Sequence, residues 1–346
     1  MRALVLHDKN DLRIEEREAS APGPGQVRIK MAVGGVCGSD LHYYYHGGFG
    51  TVRVREPVIL GHEVSGYVAE LGADVTGLQV GDLVAISPSR PCRSCRYCLE
   101  GLPNQCLNMR FYGSAMPFPH IQGAFREEIV AEASQCIPAG DLSPGVAAMA
   151  EPLAVCLHAV RQGGDLVGQR VLVTGCGPIG ALCVLAARRA GALEIVVTDL
   201  SSNALAHGAR AGADRTIDMS RAPDALKEYE ADKGWFDVML ECSGAPQALA
   251  GGIAALRPHG VAVQVGMGGD MNVPMQAITA KELNLRGTFR FHDEFAWGVQ
   301  MMREGLINVE SLITHTVSLD DALEAFRLAT DREVAMKTQI AFSEAA

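Results

Sequence analysis

The chain of 346 residues lacks any long hydrophobic run; none reaches the roughly 18–20 apolar residues of a membrane span. The short apolar patch in its first residues, MRALVLHDKNDLRIEE, is followed at once by charges and does not read as a secretory leader. A positive surplus is missing too. Lys and Arg number 30 against 40 Asp and Glu, a formal charge of −10. Such a balance argues against a general binder of nucleic acid or anionic membrane, since both need a basic face. A local basic pocket for a small anion stays open. Low-complexity tracts, charge blocks and fixed-period repeats are absent, which excludes arrays and solenoids. Ten cysteines are too few for a disulfide scaffold. The expectation is a cytoplasmic chain in a reducing compartment, where clustered cysteines bind metal or do chemistry. What remains is an ordinary globular composition, 48% hydrophobic and 20% charged, long enough for two domains and a sizeable core.

The first half reads as β-rich. Segments 27–36 (VRIKMAVGGV), 66–71 (GYVAEL) and 82–87 (DLVAIS) are short, β-branched and broken by turn residues. Gly61, Gly66, Gly72, Gly77 and Gly81 read as turns between such strands, as in a barrel or sandwich. Near residue 155 the pattern changes. Strands are expected at 170–175, 194–199, 214–218, 236–244 and 260–266, with helices after the Gly-rich turn and at 202–211, 221–232 and 246–256. Continuous apolar strands alternating with helices predict a parallel sheet covered on both faces. From about 290 the chain reads as mostly helical, with a terminal strand at 337–342.

Gly175-Cys-Gly-Pro178-Ile179-Gly180 matches G-x-G-x-x-G, and it follows a strand and opens a helix. Gly175 permits a tight turn, Gly177 lets the backbone approach a pyrophosphate, and Gly180 lets the helix pack closely on the strand. The helix N-terminus then offers free N–H groups to phosphate. The next strand ends in Asp199, placed to accept hydrogen bonds from ribose hydroxyls and to repel a 2′-phosphate. No Arg or Lys occurs from Leu200 to Ala206, so NAD is expected rather than NADP.

Cys92, Cys95, Cys98 and Cys106 have the spacing C-x2-C-x2-C-x7-C. Four thiolates on one loop suit a closed tetrahedral zinc site, with an iron–sulfur cluster as the rival. Arg90, Arg93 and Arg96 surround them, and three arginines without a wider basic stripe make a solvated loop rather than a nucleic-acid module.

With Cys37-Gly-Ser-Asp40, Gly61-His-Glu63, the four-cysteine loop, Glu151-Pro-Leu-Ala and the Gly175 turn in that order, the chain resembles the zinc-containing medium-chain dehydrogenases over almost its whole length. The stretches PSRPCRSCRYCLEG, NQCLNMRFYGSAMPFPH and GTFRF resemble their polyol and sugar-acid branch. The resemblance implies a GroES-like β-barrel catalytic domain (1–155 and 291–346) and a Rossmann doubly wound domain (156–290), with the active site between them. It implies a structural zinc on the four cysteines and a catalytic zinc held by Cys37, His62 and Glu63. Glu151 would stand where alcohol dehydrogenases place a second thiolate, and Glu63 and Glu151 compete for the metal. Adjacent residues on a regular strand point to opposite faces, so His62 and Glu63 can share a metal only if the backbone departs from a strand there. Asp40 is a candidate partner for the free nitrogen of His62.

The chemistry explains the need. Zinc moves the pKa of a bound water from 15.7 to about 7, and a comparable shift for an alcohol is worth roughly 12 kcal/mol. Ser39 and His42 match the family's proton relay, Tyr43 and Arg290 its substrate contacts, and Arg110 is a second basic candidate for the substrate. His158 reads as a satisfied core histidine. Ala204 stands where relatives often carry an Arg near the adenine. The expected reaction is oxidation of a secondary hydroxyl on an acyclic sugar acid, L-idonate to 5-keto-D-gluconate, with a neutral polyol or L-threonine as alternative substrates. A homotetramer or homodimer is expected.

Overall fold

The computed structural model, which describes residues 1–342, contains two large sheets of opposite character. The first is largely antiparallel. Strands Gln26–Gly35, Glu63–Leu71, Leu83–Ile86 and Cys136–Pro138 lie side by side, and Glu128–Glu132 pairs with the other edge of Gln26–Gly35. Alternation drives this sheet: Val27, Ile29 and Met31 are buried while Arg28 and Lys30 face outward. The inward residues join Leu4, Val64, Val84, Phe125 and Phe326 in one core.

The second sheet is parallel. Its strands run in the order Arg215–Asp218, Glu194–Asp199, Arg170–Thr174, Phe236–Glu241, Leu256–Gln264 and Asn284–Gly287. The central strand Arg170–Thr174 is buried on both faces, with Val171 and Val173 in one core and Leu172 in the other. Strand order reverses at this strand, the switch point at which open α/β sheets bind ligands. The helix Ala150–Gly163 crosses residue 155 and packs on both Pro178–Arg189 and Glu294–Arg303. Among the described residues, no helix is long and apolar enough to cross a membrane.

Three local expectations need correction. Gly66 is no turn but lies inside Glu63–Leu71, where a Cβ would overlap the Lys30 carbonyl; it permits two strands to approach closely. The helix expected at 221–232 is a short 3-10 segment, Ala225–Lys233, broken at Ala231 and Asp232. Pro223 blocks its start, and only Leu226 and Tyr229 are buried, so no apolar stripe holds a longer helix down. The tail carries the expected helices, Glu294–Arg303 and Ala322–Thr330, and the expected terminal strand, but one strand more. Ile313–Ser318 is a strand, parallel to Lys337–Ala341, and the latter lies antiparallel on residues 33–35 of the first sheet.

Candidate active site

Strand pairing builds the first cluster. Gly35 is opposite Glu63 in the ladder, so the chain leaving one strand at Cys37 meets the chain entering the other at His62. The strand begins only at Glu63, after Gly61 at φ +91°, and this turn lets His62 and Glu63 face the same point. The ligand atoms of Cys37, His62 and Glu63 all lie within 4.8 Å of one another. A Cβ on Gly35 would overlap a Glu63 carboxylate oxygen, so that glycine makes room for the acid.

Fixed charges surround the cluster. Asp40 is fully buried and accepts hydrogen bonds from the Cys37 N–H at 3.0 Å and the Gly61 N–H at 3.2 Å. Its Oδ1 lies 3.8 Å from His62 Nδ1, which leaves Nε2 of the ring for a metal. Burial pushes the Asp40 carboxyl up, against the pull of His62. Lys337, 3% exposed, places Nζ 2.8 and 2.6 Å from the two Glu63 oxygens and 3.2 Å from the Val36 carbonyl. Burial lowers its pKa, but Glu63 and Cys37 outweigh burial and keep it charged. Sequence reasoning missed Lys337, although one Lys opening an apolar strand near a chain end is a signal that a buried partner exists. Burial, with the Glu63 charge, pushes the Cys37 thiol up to about 12. A converging thiol, imidazole and carboxylate are a donor set that fits zinc, which would draw the thiol proton off. Glu151, in the first turn of Ala150–Gly163, is buried and pushed up to about 8, and it stands outside the group formed by Cys37, His62 and Glu63.

One helix and one loop border the cluster. Ser39, His42 and Tyr43 lie on Gly38–His46, the helix that Cys37 caps. His42 is half-buried, its pKa lowered by burial and by His46, whose ring centre is 5.7 Å away. Tyr43 is buried and its Oη accepts the Ala115 N–H at 3.1 Å. Phe111 packs between His62, with ring centres 5.6 Å apart, and the Arg290 guanidinium, 4.3 Å from the ring. Arg290 holds φ at +54°, a conformation few side-chain-bearing residues adopt. Arg110 is not brought to the site; it is exposed and pairs with Arg90 on a two-stranded ribbon. His158 is satisfied by Glu294 at 2.9 Å.

The four-cysteine loop forms a second cluster, with all four sulfurs within 4.8 Å of one another. Tetrahedral zinc with Zn–S near 2.3 Å requires sulfurs about 3.8 Å apart. Cys95 Sγ lies 3.6 Å from Cys98 Sγ and 3.9 Å from Cys106 Sγ. Backbone N–H groups of Cys92 and Asn108 point at Cys106 Sγ, and that of Cys95 at Cys92 Sγ, as around thiolates. Hydrogen bonds from Ser94, Asn108 and Cys95 bring Cys92 down to about 5. The residues present fit zinc.

At the switch point Gly175 has φ +82°, and a Cβ there would lie 2.7 Å from the Ser243 nitrogen. A Cβ on Gly180 would overlap the Gly175 carbonyl, whereas one on Gly177 would meet open space. Gly177 caps the helix Pro178–Arg189, with Pro178 and Ile179 in its first turn, so the space above it faces a helix N-terminus. This cradle fits a pyrophosphate. Asp199 Oδ2 accepts the Cys176 N–H at 2.6 Å, and Oδ1 accepts those of Leu200 and Ser201, at 2.7 and 2.9 Å. Glu241, also missed in the sequence, is fully buried beneath the turn and binds Thr174, Ser243, Gly244 and Gln264.

A parallel sheet with a phosphate turn at its switch point, beside a metal donor set that leaves a position free, is the construction of a metal-dependent dehydrogenase. Residues 23–141 match the alcohol dehydrogenase GroES-like domain and residues 178–304 the zinc-binding dehydrogenase family. The chain belongs to the zinc-containing medium-chain polyol dehydrogenases, oxidoreductases that act on CH–OH groups. It is 44% identical over 340 residues to the L-idonate 5-dehydrogenase (NAD(P)(+)) of Escherichia coli, covering 98% of each chain. To human sorbitol dehydrogenase it is 36% identical over 329 residues, covering 94% of this chain and 91% of that protein. Its fold matches the crystal structure of the Escherichia coli L-idonate 5-dehydrogenase with a TM-score of 0.95 at 42% identity, over 99% and 98% of the two chains. That of the 2R,3R-butanediol dehydrogenase of Bacillus subtilis matches with 0.89 at 31% identity, over 99% of each.

Proposed function

We propose that the chain oxidises a secondary hydroxyl of an acyclic sugar acid, L-idonate to 5-keto-D-gluconate, with NAD accepting the hydride. The observation that carries this reading is Arg290. Its guanidinium is stacked on Phe111 and Phe289, and among the described residues its one side-chain hydrogen bond goes to the Met116 sulfur at 3.5 Å. Among the described residues it makes no ion pair. Burial lowers its pKa to about 10, with Glu151 and Tyr43 close enough to oppose that, so it is charged at neutral pH. An unpaired, partly desolvated guanidinium invites an anion, and a substrate carboxylate can take both its N–H groups. The likeness to L-idonate 5-dehydrogenase supports the acid, and the weaker likeness to sorbitol dehydrogenase supports the neutral polyol as the alternative.

Cys37, His62 and Glu63 would hold the catalytic zinc, which supplies Lewis acidity to the substrate hydroxyl. Tyr43 and Arg290 position the substrate. Ser39 and His42, three residues apart on one helix face, pass its proton toward solvent. His42 is neutral at pH 7, because burial and His46 hold it down, so it can accept that proton. Glu151, pushed up to about 8, is mostly protonated there and can donate a hydrogen bond beside the cluster. Cys92, Cys95, Cys98 and Cys106 would hold a structural zinc. Gly175, Gly177, Pro178, Ile179 and Gly180 cradle the pyrophosphate, and Asp199 repels a 2′-phosphate, which favours NAD over NADP.

Residues 1–155 with 291–346 act as the catalytic unit and 156–290 as the nucleotide unit, a division supported by sheet membership. Strand Asn284–Gly287 ends the parallel sheet with every residue exposed, Leu285 by 46%, and this open edge supports a homo-oligomer in which two copies pair there. Ten free cysteines suit the reducing cytoplasm.

Initial rates on idonate, gluconate, sorbitol, xylitol and threonine, each with NAD and NADP, test the reading. Arg290→Ala should reduce kcat/KM on idonate about 30-fold more than on sorbitol, the cost of unpairing a desolvated charge at roughly 2 kcal/mol. Equal losses on both would overturn acid recognition.

A further inference from the structure

Three cysteines outside both metal clusters lie together under the nucleotide turn. Cys156 and Cys183 are fully buried on the helices Ala150–Gly163 and Pro178–Arg189, while Cys242, just past strand Phe236–Glu241, is partly exposed. Cys242 Sγ lies 3.7 Å from Cys183 Sγ, whereas Cys156 Sγ is directed at the Ile179 carbonyl, 3.3 Å away. The backbone of Cys242 is tied to the turn. Its N–H donates to the Thr174 carbonyl at 2.8 Å, and Ser243 presses on Gly175. A Cβ on Gly180 would lie 3.7 Å from that of Cys242. The Cys242–Ser243 segment therefore borders both ends of the Gly175–Gly180 turn.

We propose that Cys183 and Cys242 form a reversible disulfide when exposed to a peroxide, and that the bond weakens nucleotide binding. The sulfurs must close from 3.7 Å to about 2.05 Å. In a close-packed interior that closure drags the Cys242–Gly244 segment toward the helix and displaces the glycine turn between them. The Cys242 S–H is directed at the Cys183 sulfur, a contact that favours loss of the Cys183 proton. Cys242 attacks one peroxide oxygen, the O–O bond breaks, and a first water leaves with one proton. The Cys183 thiolate then attacks the resulting sulfenic sulfur, the S–O bond breaks, and a second water leaves. Two thiols lose two electrons and two protons, and one hydrogen peroxide becomes two waters. A thiol reductant reverses the step by exchange.

The inference rests on the nucleotide reading of the glycine turn, and the test reads the two separately. The zinc-loaded protein is treated with hydrogen peroxide, its remaining thiols are blocked, and its peptides are mapped without reduction. NADH affinity and zinc content are measured before treatment, after it, and after dithiothreitol. The expected result is a Cys183–Cys242 linked peptide, at least a tenfold rise in the NADH Kd at unchanged zinc content, and recovery with dithiothreitol. Cys183→Ser, checked for its melting temperature, should keep its affinity under the same peroxide. Absence of the linked peptide, a Cys156–Cys183 link in its place, or a linked peptide with unchanged affinity would each overturn the proposal. So would an affinity loss that follows zinc release. Failure of the reduced protein to bind NADH would overturn the nucleotide reading and the consequence drawn from it, and linkage itself is still scored by mass.

Discussion

The two metal-ready clusters are built by opposite means. The four-cysteine loop draws all its donors from residues 92–106 and sits on a lobe with little core. Its short helix Arg96–Leu99 buries nothing, and Leu99, Leu102 and Leu107 are exposed. The Cys37–His62–Glu63 cluster comes from the ends of separate strands and is closed in by Asp40 and Lys337, both buried. The first supplies sulfur, backbone N–H groups and the exposed side chains of Ser94 and Asn108, with no buried counter-charge, so the metal shapes the loop. The second has its shape from the fold, with counter-charges fixed in advance and a place left for substrate. A structural site thus depends on its ion for order, and a catalytic site borrows order from the sheet.

A crossed pair of substitutions breaks this comparison most sharply. His62→Ala should lower kcat by about 10³-fold or more, since losing a third of the roughly 12 kcal/mol of alcohol activation has that effect. Its melting temperature should change little, because the strands that frame the site remain. Cys95→Ser should do the reverse: one zinc per chain is lost and the 92–106 loop becomes open to protease, with a smaller fall in kcat. Zinc content, limited proteolysis and initial rates on both variants check the pattern. Unfolding by His62→Ala, or a protease-resistant loop in Cys95→Ser, would erase the distinction.

Lys337→Met tests the same contrast in stability. Removing one partner of a buried ion pair leaves the Glu63 carboxylate uncompensated, at a cost of about 3–5 kcal/mol. A catalytic zinc would take over the lost positive charge, so the penalty relative to the parent should be smaller with zinc than with chelator. Equal penalties in denaturant titrations under the two conditions would show that Glu63 does not face the metal. Arg96→Met beside the cysteine loop should cost less than about 1 kcal/mol in either condition, because that arginine is exposed.

The same contrast governs what could be read from sequence. The cysteine loop and the glycine turn were legible because their donors are neighbours along the chain. The Cys37–His62–Glu63 set was legible only through resemblance, since pairing of two strands brings it together. Lys337 lies 274 residues from Glu63, and nothing local announces that contact. Glu241 lies inside the strand expected at 236–244, with nothing local to mark it, yet its partners come from three segments. Gly66 looked like a turn because the obstacle it avoids, the Lys30 carbonyl, belongs to the facing strand. Strand Ile313–Ser318 has only partly buried or exposed residues and exists because Lys337–Ala341 lies beside it. Local chemistry is written locally; what depends on a partner needs the fold.

The smallest expected effect separates the clusters by pH. His42 belongs to the fold-built site, and burial together with the charge of His46 holds its pKa below the usual 6.5. The relay needs the neutral ring, so kcat/KM should be level near pH 7 and fall with acid only below 6.5. His46→Gln removes one of the two causes. The His42 pKa should then rise toward 6.5, and the acid limb should move to higher pH by a fraction of a unit with the plateau unchanged. Zinc content of the cysteine loop should not follow that movement, because neither histidine belongs to it. A limb that stays in place when His46 is replaced would remove His42 from the proton path and leave its half-buried position a matter of packing against Phe49, whose ring centre lies 6.1 Å away.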